Sequence, residues 1–300
     1  MKSILQRPLS RTIVNQYKRH DIFKCIHQSH VNFEHRVSVY HVLKEKQCYP
    51  QGCIYFNWKC RLLNKGATCS KKFKHVGRKC FNCKEFFDEK EIFKPERLID
   101  TQGYEKFTCE LNAFEDWFEE LRGKEVDFSG TINSVKPGFH KRTEGPHNNL
   151  SFDGFLINFT EGYINLDHFK DFLYVKISSS MQHRYKFSQG DRLNFYARLQ
   201  EKQGRILLYR INRVDIEHKE DNEAWTASKA QLAKKTGTII PVQYDKCLNC
   251  DKGSLIDDTT ASKKQRMLLC LEGIKNPHYC TYSISKLLLA DNCSKQSDRR

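Results

Sequence analysis

The chain lacks any long uninterrupted hydrophobic run. No stretch approaches the roughly 18 apolar residues that a membrane-spanning helix needs, so the sequence argues against an integral membrane protein. The first twenty residues also lack the apolar core of about 7–15 residues that marks a secretory signal. We therefore expect an intracellular, cytoplasmic protein without a membrane partner.

Recognisable catalytic motifs are also absent. The sequence has no glycine-rich phosphate loop, no Gly-x-Ser-x-Gly elbow, no His-Glu-x-x-His and no His-x-Glu followed by Pro-Cys-x-x-Cys. Its twelve histidines are scattered, and His20, His27 and His30 have no carboxylates at metal-site spacing. The sequence predicts a protein that is not an enzyme and has no catalytic residue. A cysteine–histidine pair assembled only by folding stays open as an alternative.

Cysteine is missing from residues 110–246 but frequent on both sides of that stretch. The chain has 13 cysteines, and they include two Cys-x-x-Cys pairs, Cys80/Cys83 and Cys247/Cys250. A two-residue gap lets both thiolates of one tight turn reach a single tetrahedral Zn²⁺. In a reducing compartment clustered cysteines favour metal binding over disulfides. The layout predicts two metal-binding modules on either side of a middle domain.

Each module needs four ligands, and the second half of each set is less regular than the first. The predicted Zn²⁺ ligands are Cys60, Cys69, Cys80 and Cys83 in the first module and Cys247, Cys250, Cys270 and Cys280 in the second. Cys53 and His75 are alternatives in the first module, as are His278 and Cys293 in the second. Because the first spacing matches no common zinc finger, an iron–sulfur cluster is the alternative cofactor there. A third interpretation is free buried cysteines that act as small hydrophobes.

Acidic residues are missing from residues 54–83. The chain carries a net charge of +15, and residues 1–95 hold 20 basic but only 7 acidic residues. The acid-free stretch interleaves its cations with aromatic rings, a mixture typical of surfaces that contact phosphates and stack on bases. Its predicted nucleic-acid contacts are Lys59, Arg61, Lys71, Lys72, Lys74, Arg78 and Lys79. The alternative is a solvated basic loop whose rings pack around a small metal core.

The middle of the chain changes from helical to strand periodicity. Apolar residues from Glu105 to Leu121 recur at spacings of four and three, which predicts an amphipathic helix ended by Gly123. Beyond it, alternating runs predict five strands. They lie at residues 126–132, 155–159, 173–177, 193–199 and 205–216. We therefore expect a mainly β fold with some α structure, in which a five-stranded barrel is flanked by the two small cysteine-rich modules.

This strand order resembles the OB-fold. The features that carry the resemblance are Phe128-Ser-Gly in the first strand, a short insertion after the third strand, and Gly190-Asp-Arg-Leu before the fourth. The OB-fold binds single-stranded nucleic acid on its second and third strands and flanking loops. The resemblance implies contacts at Phe139, Lys141 and Arg142 in the first loop, at Tyr174 and Lys176, and at Tyr196, Arg198 and Arg210.

With a metal module on each side, the chain resembles in architecture the replication-protein-A-type single-strand binders. In that family the zinc ribbon lies within the barrel, whereas here both modules lie outside it. The resemblance implies a non-enzymatic binder of single-stranded DNA or RNA. One alternative is an iron–sulfur or redox protein. Another is a scaffold for protein or acyl-carrier partners, because OB-folds joined to zinc ribbons also serve acyl-coenzyme A chemistry.

These features divide the sequence into six predicted segments. Residues 1–47 have no assigned role. The others are a basic metal module at 48–95, a linker with the amphipathic helix at 96–121, the barrel at 122–220, a second linker at 221–241 and a zinc-ribbon-like module at 242–300.

Overall fold

The structure is a computed structural model in which the chain divides into two compact units. One lies within residues 16–113, and the other lies within residues 114–300 together with 1–15. Along the described ranges, no helix combines the length and the apolar character needed to cross a bilayer. The structure describes residues 10–27, 30, 35–144, 147–240, 245–248, 250–258 and 265–280.

Strands dominate the described residues, which confirms the predicted mainly β fold. Numbered along the chain, the strands are β1 (Thr12–Ile13), β2 (Phe23–Lys24), β3 (Arg36–Val37), β4 (Cys53–Cys60), β5 (Phe86–Phe93), β6 (Glu96–Arg97), β7 (Glu125–Thr131), β8 (Ser134–Glu144), β9 (His147–Phe159), β10 (Gly162–Ile164), β11 (Asp167–Phe169), β12 (Leu173–Ile177), β13 (Arg192–Lys202), β14 (Arg205–His218), β15 (Thr238–Ile240), β16 (Gly253–Asp258) and β17 (Gln265–Cys270). The α-helices are α1 (Arg61–Asn64), α2 (Thr101–Leu121), α3 (Ser179–Tyr185), α4 (Ala227–Thr236) and α5 (Asp245–Leu248).

Two small antiparallel sheets organise the unit within residues 16–113. One has the strand order β3-β2-β6, and the other pairs β4 with β5. The ring of Phe23 is fully buried, and the ring centroids of Tyr49, Tyr104 and Phe107 lie 5.0, 6.3 and 6.5 Å from it. Part of the N-terminal segment to which the sequence assigned no role therefore contributes to a core.

Helix α2 forms where the apolar periodicity predicts it. The Asp100 carboxylate accepts a hydrogen bond from the Gly103 backbone N–H at 2.7 Å, which satisfies a free donor of the first turn. Gly123 follows the helix with a φ of +69°, the left-handed conformation that commonly ends helices. The predicted apolar residues are all buried: Phe107, Leu111, Phe114, Phe118 and Leu121.

In the described part of the other unit, twelve strands form one mixed sheet. Their order is β1-β11-β10-β7-β13-β14-β12-β9-β8-β16-β17-β15. It includes the five predicted strands, but the described residues show this large mixed sheet and not a closed five-stranded barrel. The main difference is β8, because it contains Phe139, Lys141 and Arg142, which the sequence analysis assigned to a loop. Strand β8 also contains Pro137 and Gly138, which are typical turn residues. The structure accommodates them at a register shift in the β8–β9 pairing.

A second apolar cluster joins β8 to the C-terminal strands. Strand β16 runs parallel to β8, and β17 and β15 extend the sheet beyond it. Helix α4, within the predicted linker at 221–241, begins at Thr226, whose hydroxyl accepts from the Lys229 N–H at 3.2 Å. Its Ala233 enters the cluster. The buried members are Phe139, Ala233, Ile256, Leu269 and Leu271.

Asp191, just before β13, is a buried charge whose surroundings hold several donors. The backbone N–H groups of Ser188 and Glu220 donate to its carboxylate at 2.8 and 3.0 Å, and the Ser188 hydroxyl donates at 3.0 Å. The ammonium group of Lys219 forms an ion pair with it. The Gly-Asp pair that the sequence associates with the fourth strand therefore forms a hydrogen-bonded corner.

We expect Asp191→Ala to lower the free energy of unfolding by about 3–5 kcal/mol. The reason is that the substitution leaves buried donors and one partner of an ion pair without their acceptor. Urea denaturation followed by circular dichroism measures the change. Asp215→Ala, at an exposed position on β14, is the control and should change stability by less than about 0.5 kcal/mol. A loss for Asp191→Ala no larger than the control's would contradict this account.

Candidate metal centres and nucleic-acid interface

The four thiols predicted for the first metal site are positioned by β4, β5 and the segment that joins them. Cys60 is the buried last residue of β4 and lies opposite Phe86 in the strand pairing. Cys69 follows α1. Cys80 and Cys83 enclose a tight turn in which the Cys83 N–H donates to the Cys80 carbonyl at 2.8 Å. This turn is the geometry that a Cys-x-x-Cys half-site requires.

The structure brings Cys60, Cys69, Cys80 and Cys83 to one cavity. His75, an alternative ligand in the sequence analysis, also lines it. The other alternative, Cys53, begins β4, and a strand of that length places it about 23 Å from Cys60. Cys53 does not line this cavity, so it is not positioned to replace one of the four thiols.

The second predicted half-site, Cys247/Cys250, lies in a turn that requires glycine at position 253. Cys247 lies in α5, and the Cys250 sulfur accepts a hydrogen bond from the Lys252 N–H at 3.4 Å. The Gly253 N–H donates to the Cys250 carbonyl at 3.1 Å. A Cβ atom on Gly253 would lie 1.9 Å from the Cys247 carbonyl oxygen, so no other residue fits without moving the backbone.

Cys270 and Cys280 complete the thiol set of the C-terminal cavity. Cys270 ends β17 and lies opposite Gly253, and all four predicted cysteines of this module line one cavity. Burial raises the pKa of the Cys247 thiol, and the neighbouring Cys250, Cys270 and Cys280 thiols raise that pKa further. The alternative ligand His278 is exposed and does not line the cavity. The alternative Cys293 lies outside the described residues.

The four thiols of each quartet line the same cavity but are neither joined by disulfides nor already arranged around a metal position. The cysteines of the described ranges form no disulfide. Within those ranges, no three or more His, Cys, Asp or Glu side chains already stand in a metal-coordinating arrangement. A tetrahedral Zn²⁺ site therefore requires the thiols of a quartet to converge to about 2.3 Å from the ion. The donor set itself, four soft thiolates at one cavity, fits Zn²⁺ or an iron–sulfur cluster.

A third group of thiols in residues 16–113 was not assigned from the sequence. Cys25 and Cys48 are buried, and the Cys48 thiol donates to the Val42 carbonyl at 3.9 Å. Burial, together with Cys53 and Cys25, raises the pKa of Cys48 to about 12. The only sequence signal for this group is the short spacing between Cys48 and Cys53.

A histidine cluster in the same unit corrects the prediction that the histidines are scattered. The Nε2 atoms of His30 and His41 lie 3.1 Å apart, and the ring centroid of His27 lies 5.6 Å from that of His30. Glu45 contacts His41 at 3.0 Å between Oε2 and Nδ1. Burial, and then the neighbouring His41 and His27, lower the pKa of His30 to about 4.

Four aromatic residues of the first module are exposed: Tyr55, Phe56, Trp58 and Phe81. Phe56 and Trp58 lie two residues apart on β4, so they share one face of the strand, and their residues are 55% and 45% exposed. Phe81 is 47% exposed, with its ring centroid 4.8 Å from that of Trp58. These rings do not pack around the metal cavity, whereas Phe73 does line it.

The loop beside these rings presents five exposed cations. None of the five forms an ion pair within the described part of the chain. They are Lys71, Lys72, Lys74, Arg78 and Lys79. The two other predicted cations of this module are engaged: Lys59 forms an ion pair with Glu89, and the Arg61 guanidinium donates to the Lys84 carbonyl at 3.2 Å. For Lys59 the cause is strand β5, because its pairing with β4 brings Glu89 beside the acid-free stretch.

Arginine–tyrosine pairs lie along β12, β13 and β14 in the other unit. Tyr174, Tyr196 and Arg198, predicted as contacts, are at partly or fully exposed positions. Arg210, the other predicted contact, lies over the Tyr209 ring, whereas sequence reasoning missed Arg205 and Arg213, although the Arg-rich run of the fifth strand carries the signal. The guanidinium-to-ring distances are 5.1 Å for Arg205 and Tyr174, 5.5 Å for Arg213 and Tyr196, and 6.0 Å for Arg210 and Tyr209.

Strands β8 and β9 place the other predicted nucleic-acid contacts of the barrel differently from the sequence analysis. Phe139 is 4% exposed and belongs to the apolar cluster, so it cannot stack on a base. Lys141 is half-buried on the same strand. Arg142 has its backbone in β8, but its side chain lies outside the described residues. Lys176 is exposed and forms an ion pair with Asp153 of β9.

No family model, curated protein or solved structure matches this chain. The functional argument therefore depends on the sites themselves.

Proposed function

We propose that this protein is a non-enzymatic, metal-stabilised binder of single-stranded DNA or RNA. The observation that carries the proposal is the exposed face of Phe56, Trp58 and Phe81 beside the five cations of residues 71–79. Large aromatic rings left half exposed forgo the burial that usually stabilises them, which points to an interaction surface. Nucleobases stack on such rings while lysine and arginine side chains contact the phosphates.

The ring geometry favours single strands over duplexes. In a duplex the faces of the bases are covered by their neighbours, so a protein ring can stack only where a base is unpaired or splayed out. Phe56 and Trp58 project from one strand face, at a separation of two residues. Because stacking tolerates every base, we expect little sequence preference.

We propose a structural Zn²⁺ ion at each thiol quartet. Four thiolates complete a tetrahedral shell and leave no coordination position for water, so such an ion would stabilise the fold and not perform catalysis. In the first module the ion would fix the segment from Cys60 to Cys83, which carries the cations and Phe81. In the second module it would fix the turn at Gly253, which Lys136 of β8 also holds through hydrogen bonds to the Cys250 and Gly253 carbonyls at 2.6 and 2.9 Å.

We also propose that the centre of the large sheet is an OB-type barrel whose first strand is split into β7 and β8. Three pairings support this assignment: β7 with β13, β8 with β9, and the parallel pair of β12 and β14. At the junction, the Ile132 N–H donates to the Asp191 carbonyl and the Asn133 N–H donates to the Asn158 carbonyl, both at 2.8 Å. The continuous segment β7–β8 thus changes its pairing partner from β13, the fourth barrel strand, to β9, the second barrel strand. A strand that closes a barrel must pair with both of these strands.

The arginine–tyrosine pairs supply a second contact surface for the same function. Arg210 and Arg213 are exposed, so their guanidinium groups can meet phosphate while the neighbouring Tyr209 and Tyr196 rings meet sugar or base. Tyr174, Tyr196 and Arg210 are the members of this surface that the OB-fold resemblance predicts.

A salt titration of oligonucleotide binding tests the proposal. A fluorescent single-stranded oligonucleotide of about 20 nucleotides is titrated with the full chain at several KCl concentrations, and anisotropy reports binding. We expect log affinity to fall linearly with log salt, with a slope near −3 to −4 if the five cations each contact a phosphate. The same sequence as a duplex should bind more weakly. Absence of binding, or an affinity independent of salt, would contradict the proposal.

A further inference from the structure

The Nε2 atoms of His30 and His41 approach each other within hydrogen-bond distance. A neutral imidazole has one N–H donor and one lone-pair acceptor. The contact of Glu45 Oε2 with His41 Nδ1 at 3.0 Å assigns the N–H of His41 to Nδ1. The Nε2 lone pair of His41 then points to Nε2 of His30, 3.1 Å away.

The second nitrogen of His30 strengthens this observation. His30 Nδ1 is buried and makes no well-formed hydrogen bond among the described residues, although the Cys25 backbone lies close to the His30 ring. If His30 Nε2 donates to His41, its Nδ1 lone pair is left buried without a donor. Buried polar atoms without hydrogen-bond partners are rare in folded proteins. A bound ion is one explanation for such an atom.

The distance itself fits a shared metal ion. Two imidazole nitrogens bound to one tetrahedral Zn²⁺ at 2.0–2.1 Å lie about 3.3 Å apart, close to the observed 3.1 Å. Glu45 occupies the position of the carboxylate that orients a metal-binding histidine through its other ring nitrogen. His41–Glu45 is a π-helical turn, a rare element that occurs frequently at functional sites.

We propose that His30 and His41 bind one divalent transition-metal ion of the Zn²⁺ class through their Nε2 atoms, with His27 as the third imidazole and Glu45 as the orienting carboxylate. The His27 ring centroid lies 5.6 Å from that of His30, so binding the ion requires the His27 side chain to turn from its edge contacts with the Tyr55 and Phe93 rings. This nitrogen site is separate from the two thiol quartets. It gives His30 and the His41–Glu45 turn a role that the sequence did not reveal.

Zinc counting on the full chain tests this site. The protein is reconstituted with Zn²⁺, desalted and analysed by native mass spectrometry. We expect His30→Gln and His41→Gln each to carry one zinc fewer than the parent chain. His20→Gln, at an exposed position of the same unit, is the matched control and should carry the full number. Unchanged zinc content in both variants would overturn the proposal.

Cobalt substitution separates this site from the thiol sites and from the proposed function. Thiolate-bound Co²⁺ gives an intense near-ultraviolet charge-transfer band, and imidazole-bound Co²⁺ does not. We expect His41→Gln to lose one Co²⁺ while that band stays unchanged. Loss of the band together with the ion would overturn the proposal, because the missing ion would then be bound by thiols. Neither readout depends on nucleic-acid binding.

Glu45→Gln provides a test in case the histidine variants fail to fold. It preserves the imidazoles but weakens the orienting hydrogen bond. We expect its affinity for one zinc ion, measured by competition with a chromophoric chelator, to fall about 10–100-fold. Affinity equal to that of the parent chain for every zinc ion would overturn the proposal.

Discussion

Cys80→Ser is expected to remove one zinc ion per chain and to unfold the segment between β4 and β5. Serine is a poor Zn²⁺ ligand, and the remaining thiols Cys60, Cys69 and Cys83 cannot complete the shell. Structural Zn²⁺ contributes about 10–16 kcal/mol of apparent binding free energy in small zinc-finger peptides, far more than a segment of this size gains from its own core. The predicted change is therefore loss of local structure and not a small shift in stability.

Metal content and limited proteolysis measure this outcome. The parent chain should resist cleavage within residues 61–83, and Cys80→Ser should be cut there rapidly at its many lysines. Cys109→Ser is the matched control, because Cys109 is exposed on α2 and lines neither thiol cavity. Retention of the full zinc content and of protease resistance by Cys80→Ser would show that this quartet binds no structural ion.

Reversing the charge of Lys71, Lys72 and Lys74 to glutamate is expected to lower oligonucleotide affinity at least about 100-fold at low salt. Three phosphate contacts release roughly two counterions from a single strand, so the slope of log affinity against log salt should become shallower by about 2. The three positions are exposed, but Lys71 also lines the first thiol cavity, so the zinc content of the variant is measured together with its affinity.

A control variant with the same change in net charge separates the effect of the 71–79 surface on binding from the effect of the net charge of the chain. Lys24, Lys46 and Lys106 are exposed in the same unit but lie outside residues 54–83, and their reversal changes the net charge equally. We expect this control to weaken binding only modestly through the general field and to leave the salt slope unchanged. Equal effects of the two triple variants would place the binding surface elsewhere.

Periodicity predicted the elements that are formed by local pattern. The apolar spacing of α2 and the alternation of β7, β9, β12, β13 and β14 each reside in consecutive residues, so the sequence contains the whole signal. Strand β8 escaped prediction because Pro137 and Gly138 usually mark a turn. A register shift against β9 places both of them in a strand, and that depends on a partner that periodicity does not reveal.

The thiol quartets were predictable to different degrees. Cys80/Cys83 and Cys247/Cys250 are close in sequence, so their half-sites follow from spacing alone. The partners Cys60, Cys69, Cys270 and Cys280 were chosen by proximity along the chain, and the structure brings them to the same two cavities. Whether these cavities hold metal stays a prediction.

Long-range neighbours explain what the sequence missed. The imidazoles of His30 and His41 meet through the tertiary fold, and no spacing rule connects the two positions in the sequence. Likewise, Lys59 lies in an acid-free stretch, yet β5 brings Glu89 beside it. The sequence analysis therefore overestimated the positive charge presented by β4. The loop at residues 71–79 keeps the exposed positive charge that the sequence analysis predicted.

Metal analysis of the anaerobically purified chain, combined with its absorption spectrum, tests most directly the claim that both thiol quartets hold structural ions. The account predicts a colourless protein with at least two zinc ions per chain and no stoichiometric iron. Visible absorption with bound iron would replace the zinc proposal by an iron–sulfur site in the first module. Less than one zinc per chain, with the quartet cysteines reacting as free thiols, would contradict the central claim.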